Sequence, residues 1–380
     1  MPKETMTPRE RWQAVLTRQK PDRVPMDYWS TPEATARLLK HLALSRLSEQ
    51  ALIADLNLPA VDANLLRGEG NRLQREMLMQ LHVDFVVGVA PRYVGPPFPD
   101  GMDVFGCCFQ NVDYGSGMYA ECVHSPLARF NSVEEIESAY TWPDPDWWDY
   151  SEIPAQIKGW ETYPIKGGYC EPFLKYKELR GQERAFMDLA LNPELVQYCL
   201  DKLFGLAYVE TSRIYEQIPG QVLITYVAED MGGQENLLFS PAHIRKFLLP
   251  GMKRMIDLAH QAGAFVFHHD DGNCRRILPE LVQAGIDILN PIQWRCKDMD
   301  REGLKRDFGD RLVFHGGMDN QYTLPFGTVT EVEQEVLDNL RLLGAEGGYI
   351  LAPCHNIQVV SPPANILAMY ATGYENGWSA

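Results

Sequence analysis

The sequence predicts a single (β/α)8 barrel of the TIM type spanning residues 1–380. Three observations carry this. Eight short apolar runs recur along the chain, helical or loop sequence follows each, and polar side chains collect just past the ends of the runs. Such runs read as buried strands, eight strand–helix repeats close into a parallel barrel, and barrel chemistry sits where the strands end. A doubly wound sheet is the alternative arrangement of the same units.

Thr7-Pro8-Arg9-Glu10 starts a helix, with a capping hydroxyl, a proline in the first turn and an acid close behind. That helix ends near Lys20-Pro21-Asp22, and Arg23 to Trp29 reads as the first strand. Polar helical sequence from Thr31 to Gln80 leads to a second strand, Val83 to Val89. Residues 91–150 are irregular and rich in Gly, Pro and aromatics, with a small hairpin expected over Gly106 to Glu121. So long a loop serves either as a lid or pocket wall, or as a surface insertion or oligomer contact. Regular alternation resumes at Tyr163. Strands are expected at 163–169, 222–228, 264–267, 287–290, 312–314 and 348–351, with helices such as Pro241 to Ala262 and Arg276 to Ala284 between them.

The expected carboxyl face carries Asp27, Asp84, Tyr169 with Cys170 and Glu171, Glu229 with Asp230, and His268 to Asp271. Asn290 with Gln293, His315 with Asp319, and Cys354 with His355 complete the ring. Within it, Asp27, Tyr169, Gln293 and His315 are candidate substrate contacts, and His355, Glu229 and Asp319 are candidates for proton transfer. Asp84 also has a structural reading, as an anchor for the barrel rim.

His269-x-Asp271 with Cys354 far downstream has the spacing of a metal site built from two strand ends. Zinc accepts N, O and S donors, and the thiol favours it over harder cations. The bland alternative has His269 bonding a loop carbonyl, Asp271 capping a helix and Cys354 as core filler. His268, next to His269 in an extended chain, faces the other way.

A net charge of -16 and a pI near 5.0 argue against nucleic acid and anionic membranes as partners. No apolar run reaches the length of a membrane span and the start lacks a secretory apolar segment, so a cytoplasmic location is expected. The eight cysteines form no CxxC framework and are expected to be reduced thiols.

Several stretches together resemble the uroporphyrinogen decarboxylase superfamily. They are Pro21-Asp-Arg-Val-Pro25, Glu229-Asp-Met-Gly-Gly-Gln234, His269-Asp-Asp-Gly272, Asp287 to Gln293, Phe314-His-Gly-Gly-Met-Asp319 and Gly347 to Gln358 with Ser361 to Ile366. The resemblance implies a barrel with an open cleft at its carboxyl end. True uroporphyrinogen decarboxylases carry an arginine-rich stretch after the first strand, whereas this chain has Met26-Asp-Tyr-Trp-Ser-Thr-Pro32. That departure argues against a substrate with eight carboxylates, although His355 matches the decarboxylases' late histidine.

The family's other branch comprises zinc methyltransferases that work with corrinoid proteins. Here His269 and Cys354 match two of their ligands, and Asp271 replaces the intervening cysteine. The resemblance therefore implies zinc held by His269, Asp271 and Cys354. It implies methyl transfer involving a corrinoid on a separate protein, since no Asp-x-His-x-x-Gly motif occurs here. The substrate would be a small thiol, hydroxyl or methoxylated compound, and a homodimer is plausible. A decarboxylase or lyase acting on a small carboxylate or aromatic acid through His355 is the second expectation. A non-catalytic ligand-binding barrel is the third.

Overall fold

The computed structural model describes residues 3–56, 69–113, 115 and 118–379. The described strands are β1 (Val87–Gly88), β2 (Arg92–Tyr93), β3 (Cys108–Asp113), β4 (Met118–His124), β5 (Trp148–Asp149) and β6 (Ile165–Cys170). They continue with β7 (Ile224–Val227), β8 (Phe265–His269), β9 (Ile288–Asn290), β10 (Val313–Met318) and β11 (Tyr349–Pro353). Seven form a parallel sheet in the order β1-β6-β7-β8-β9-β10-β11, the arrangement of a TIM-type barrel. Helices follow most of these strands and cover the outer face, as in Pro172–Arg180 after β6 and Val329–Leu342 after β10.

The first expected strand supplies the eighth stave with only isolated bonds. Leu351 N–H donates to Pro25 O at 2.9 Å, Asp27 N–H donates to Leu351 O at 2.9 Å, and Asp84 N–H donates to Met26 O at 2.7 Å. This segment thus touches β11 on one side and the approach to β1 on the other. A continuous ladder is blocked because Pro25 has no N–H and the Met26 N–H goes to the Asp84 carboxylate at 3.0 Å.

Asp84 is the knot of this seam. It also accepts from Arg11 and, at 2.7 Å, from Arg23, and all three side chains are buried. The anchoring reading of Asp84 holds. The helix Pro8–Leu16 begins with the expected cap, Thr7 and Glu10 bonding each other's backbone. Its Trp12, Val15 and Leu16 plug the barrel interior against Ile224, Phe267, Ile288, Val313 and Ile350.

Within residues 31–80, helices span Pro32–His41, Glu49–Leu56 and Glu69–Gln80, while 57–68 lie outside the described residues. The hairpin expected after residue 106 is β3 paired antiparallel with β4. Among the described residues no helix is long and apolar enough to cross a membrane, and all eight cysteines are free thiols.

Candidate functional site

The end of β8 fixes the site's orientation. Successive residues of a strand point to opposite sides, so His268 turns into the outer packing, where its Nδ1 lies 2.8 Å from Val227 O. His269 turns inward. Beyond it the loop folds back onto the loop after β7 at contact too close for any side chain. A Cβ on Gly272, whose φ is +86°, would lie 2.6 Å from Gly233 O. One on Gly232 would lie 2.4 Å from Asp271 O. Glycine is therefore required at both positions.

That contact is stitched by side chains. Asp270, fully buried, accepts from the N–H groups of Met231 and Gly232 at 2.8 and 2.9 Å. Asp230 accepts from Asp271 N–H at 3.0 Å. Gln293 accepts from Gly272 N–H at 2.7 Å, and its amide donates to Asp271 Oδ1 at 3.0 Å.

The result is a cluster of His269, Asp271 and His355, whose donor atoms all lie within 4.8 Å of one another. His269 Nε2 stands 3.8 Å from Asp271 and 3.7 Å from Asp230, and His355 Nε2 stands 3.6 Å from the other Asp271 oxygen. These gaps are too long for hydrogen bonds. They are close to the roughly 3.4 Å expected between two donors each about 2.1 Å from one tetrahedral ion.

A buried chain of hydrogen bonds behind His269 settles its tautomer. His269 Nδ1 lies 2.6 Å from Asn290 Oδ1, Asn290 Nδ2 lies 2.7 Å from His315 Nδ1, and His315 Nε2 lies 3.0 Å from Asp27 Oδ2. An amide oxygen only accepts and a carboxylate only accepts. The assignment that satisfies every member has His269 Nδ1–H donating to Asn290, Asn290 donating to His315, and His315 Nε2–H donating to Asp27. His269 Nε2 is left with its lone pair facing the cluster, the arrangement in which a histidine binds a metal.

The electrostatics of the mouth are acidic. Burial opposes charge on His269, but Asp271 and Asp230 outweigh it and raise its pKa. Burial also raises Asp271 against the pull of His269 and His355, and raises Glu171 against its bond from Tyr169. No lysine or arginine among the described residues pairs with the three clustered donors.

The other sequence-derived candidates fall in distinct places. Cys354 is not in the cluster. Its thiol is buried and donates to Ile292 O at 3.1 Å, and burial pushes its pKa well up. Glu229 does not face the cavity but accepts from Phe173 and Leu174 N–H at 2.7 and 3.1 Å, capping the helix Pro172–Arg180. Its neighbour Asp230 faces the cluster instead. Asp319 binds the N–H groups of Gln321 and Thr323 and pairs with Arg295 at 2.6 Å, so it braces a turn.

Asp27 and His315 belong to the chain behind His269, and Gln293 holds Asp271. Tyr169 is half exposed at the rim, bonds Glu171 at 2.5 Å and stacks on Tyr226 at 5.2 Å. Sequence reading placed Asn290 and Asp230 only in the general polar ring. The available signal was parity, since Asn290 ends β9 in register with His269.

A parallel barrel with a histidine–carboxylate cluster at its carboxyl mouth defines the class of this protein. The sequence model described as "Uroporphyrinogen decarboxylase (URO-D)" matches residues 162–375, more than half of the chain. The chain belongs to the uroporphyrinogen decarboxylase family. Among solved structures it is similar to a "methyltransferase from Methanosarcina mazei", with 19% identity, 97% of this chain and 99% of that chain covered, and a TM-score of 0.66. At that identity the likeness speaks to the fold. A 3-keto-D-glucoside 4-epimerase from E. coli matches at 14% identity over 58% of this chain and 82% of that chain, with a TM-score of 0.32. No curated protein matches the sequence.

Proposed function

We propose that this chain is a metal-dependent methyltransferase of its family, with zinc held by His269, Asp271 and His355. The observation that carries the reading is the cluster itself: two imidazoles and a carboxylate at metal spacing, with the His269 lone pair turned towards the other two. Two histidines and one carboxylate form a known catalytic zinc set that leaves a coordination position open. When bound, the ion acidifies a coordinated thiol or hydroxyl, or withdraws charge from a methoxyl oxygen. The chain's own residues set the stage for that. Gln293 and Asp230 hold Asp271 in place, Asn290 and His315 orient His269, and Tyr169 and Glu171 line the acidic rim.

The Methanosarcina relative with this barrel is described as a methyltransferase. A corrinoid carried by a separate protein is the methyl-group partner we assign, following the family's zinc branch. Methyl transfer then exchanges one methyl group between that corrinoid and a small thiol, hydroxyl or methoxylated substrate.

Equilibrium dialysis against zinc at pH 7.5, followed by metal analysis, tests the reading. One zinc per chain is expected in the native sequence and in Cys354→Ser, and none in His269→Ala. Methyl transfer is expected only when a corrinoid protein is supplied. If the native protein takes up no zinc, the methyltransferase reading fails and a metal-free decarboxylase or lyase using His355 replaces it.

A further inference from the structure

Between the strands β1 and β6 to β8 and the helix Glu69–Gln80 lies a cavity of about 290 Å³ whose walls include Trp29, Trp160, Tyr226 and Phe267. Lys166 of β6 projects into it. Its Nζ rests 5.6 Å from the centre of the Tyr226 ring, and among the described residues it makes no hydrogen bond or ion pair. Burial lowers the pKa of this ammonium while Asp27 draws it back up. An ammonium whose one contact among the described residues is an aromatic face leaves its N–H donors unmatched, so its presence in a cavity points to something that enters and pairs with it.

The remaining charges of the cavity give the sign of that partner. The one carboxylate there, Asp27, is already engaged by Tyr28 N–H, Trp29 Nε1–H and His315. Among the described residues Lys166 thus offers the cavity an ammonium that no carboxylate bonds, in a chain of net charge -16, whereas the rim above holds Asp230, Asp271 and Glu171. The walls are flat and aromatic, suited to a planar body. Trp29 and Tyr226 also reach upward, their rings 5.9 and 6.0 Å from the His269 ring.

We propose that this cavity binds a small planar carboxylate, its anionic head on Lys166 and its body along Trp29 and Tyr226. Bound so, it presents its far substituent to His269, Asp271 and His355. The proposal deepens the methyltransferase reading by naming a substrate class, and rests on that reading only for what happens at the far end.

Titration of benzoate and 4-methoxybenzoate into the full chain, without and with zinc, tests it by calorimetry and tryptophan fluorescence. Both acids are expected to bind, at least tenfold more tightly than the neutral benzamide and methoxybenzene. Lys166→Met is expected to remove that preference while retaining its zinc, and His269→Ala to retain benzoate binding. Carboxylates that bind the native chain no better than their neutral counterparts overturn the proposal, and this comparison does not depend on any variant folding. Equal benzoate affinity in a folded Lys166→Met protein also overturns it. Loss of zinc binding alone counts against the metal reading and leaves the cavity assignment standing.

Discussion

His269, Asp271 and His355 at the barrel mouth, and Asp103, Cys107 and Glu178 between the hairpin and the helix Pro172–Arg180, each bring three donor atoms within 4.8 Å of one another. By spacing alone the two groups are alike. What lies among the donors separates them. Lys175 Nζ sits 2.8 Å from Asp103 and also contacts Glu178, resting against the rings of Phe105 and Phe109 at 5.0 and 5.7 Å. Asp103 further accepts from Phe105 and Cys107 N–H. Burial and the nearby Asp103 push the Cys107 thiol far up, so it is no thiolate.

That second group is a nest already filled by an ammonium. At the mouth no lysine or arginine among the described residues takes that place, and a buried hydrogen-bond chain holds one imidazole with its lone pair outward. Close donors are common; donors left unneutralised and oriented from behind mark a site.

The largest effect that sharpens this contrast should come from Asn290→Leu. Asn290 is not itself a proposed ligand but holds the Nδ1 side of His269, so its loss frees the His269 tautomer, and loss of such a backing partner weakens metal binding by about 10–100-fold. Competition titration against a zinc chelator should show this, with one zinc still bound at saturation. An affinity within twofold of the native protein would remove the role we give the chain.

Acidification comes next. The cluster must lose its protons to hold zinc, and both His269 and Asp271 are shifted upward. Zinc affinity is therefore expected to begin falling at a higher pH than for an ordinary exposed histidine, by about tenfold per pH unit for each competing proton. A profile flat from pH 8 to pH 6 would contradict the cluster's electrostatics.

The smallest effect on metal is expected from Lys175→Met. Zinc affinity at the mouth should not change, while stability to urea falls by about 1–3 kcal/mol because two half-buried carboxylates lose their shared cation. If mouth affinity drops with it, the two groups are coupled and the contrast is too simple.

Much of this barrel was legible in the sequence because buried strands announce themselves as apolar runs between glycines and caps. The six runs from residue 163 onward became β6 to β11, several extending past the run into the polar residues, as β8 does at His268 and His269. The first run was legible as extended but not as a stave held by single bonds. That outcome depends on where the Met26 N–H goes, a matter of Asp84 and two arginines far apart in sequence.

In the site, His269, Asp271, Cys354 and His355 all stood out, yet the donors brought together are those of His269, Asp271 and His355, without Cys354. Consecutive residues leaving a strand face opposite ways, and nothing local to Ala352-Pro-Cys-His355 says which of them turns to the cavity. The same ambiguity led to Glu229 over Asp230. Asn290 was unremarkable as an asparagine before a proline. Its function exists only because β9 lies between β8 and β10, bringing it between two histidines 46 positions apart.

The seam between the first stave and β11 also sets an order in time. As the chain leaves the ribosome, Pro25 to Trp29 must wait for Leu351 and Ile357 before its backbone bonds to them can form. Contacts between such distant residues form late, after the entropy of closing a very long loop has been overcome. Asp27 rides on that same segment and carries the far end of the chain that orients His269. Orientation of the cluster-facing imidazole is thus among the last events of folding, and a nascent barrel still open at its seam holds a histidine not yet aimed.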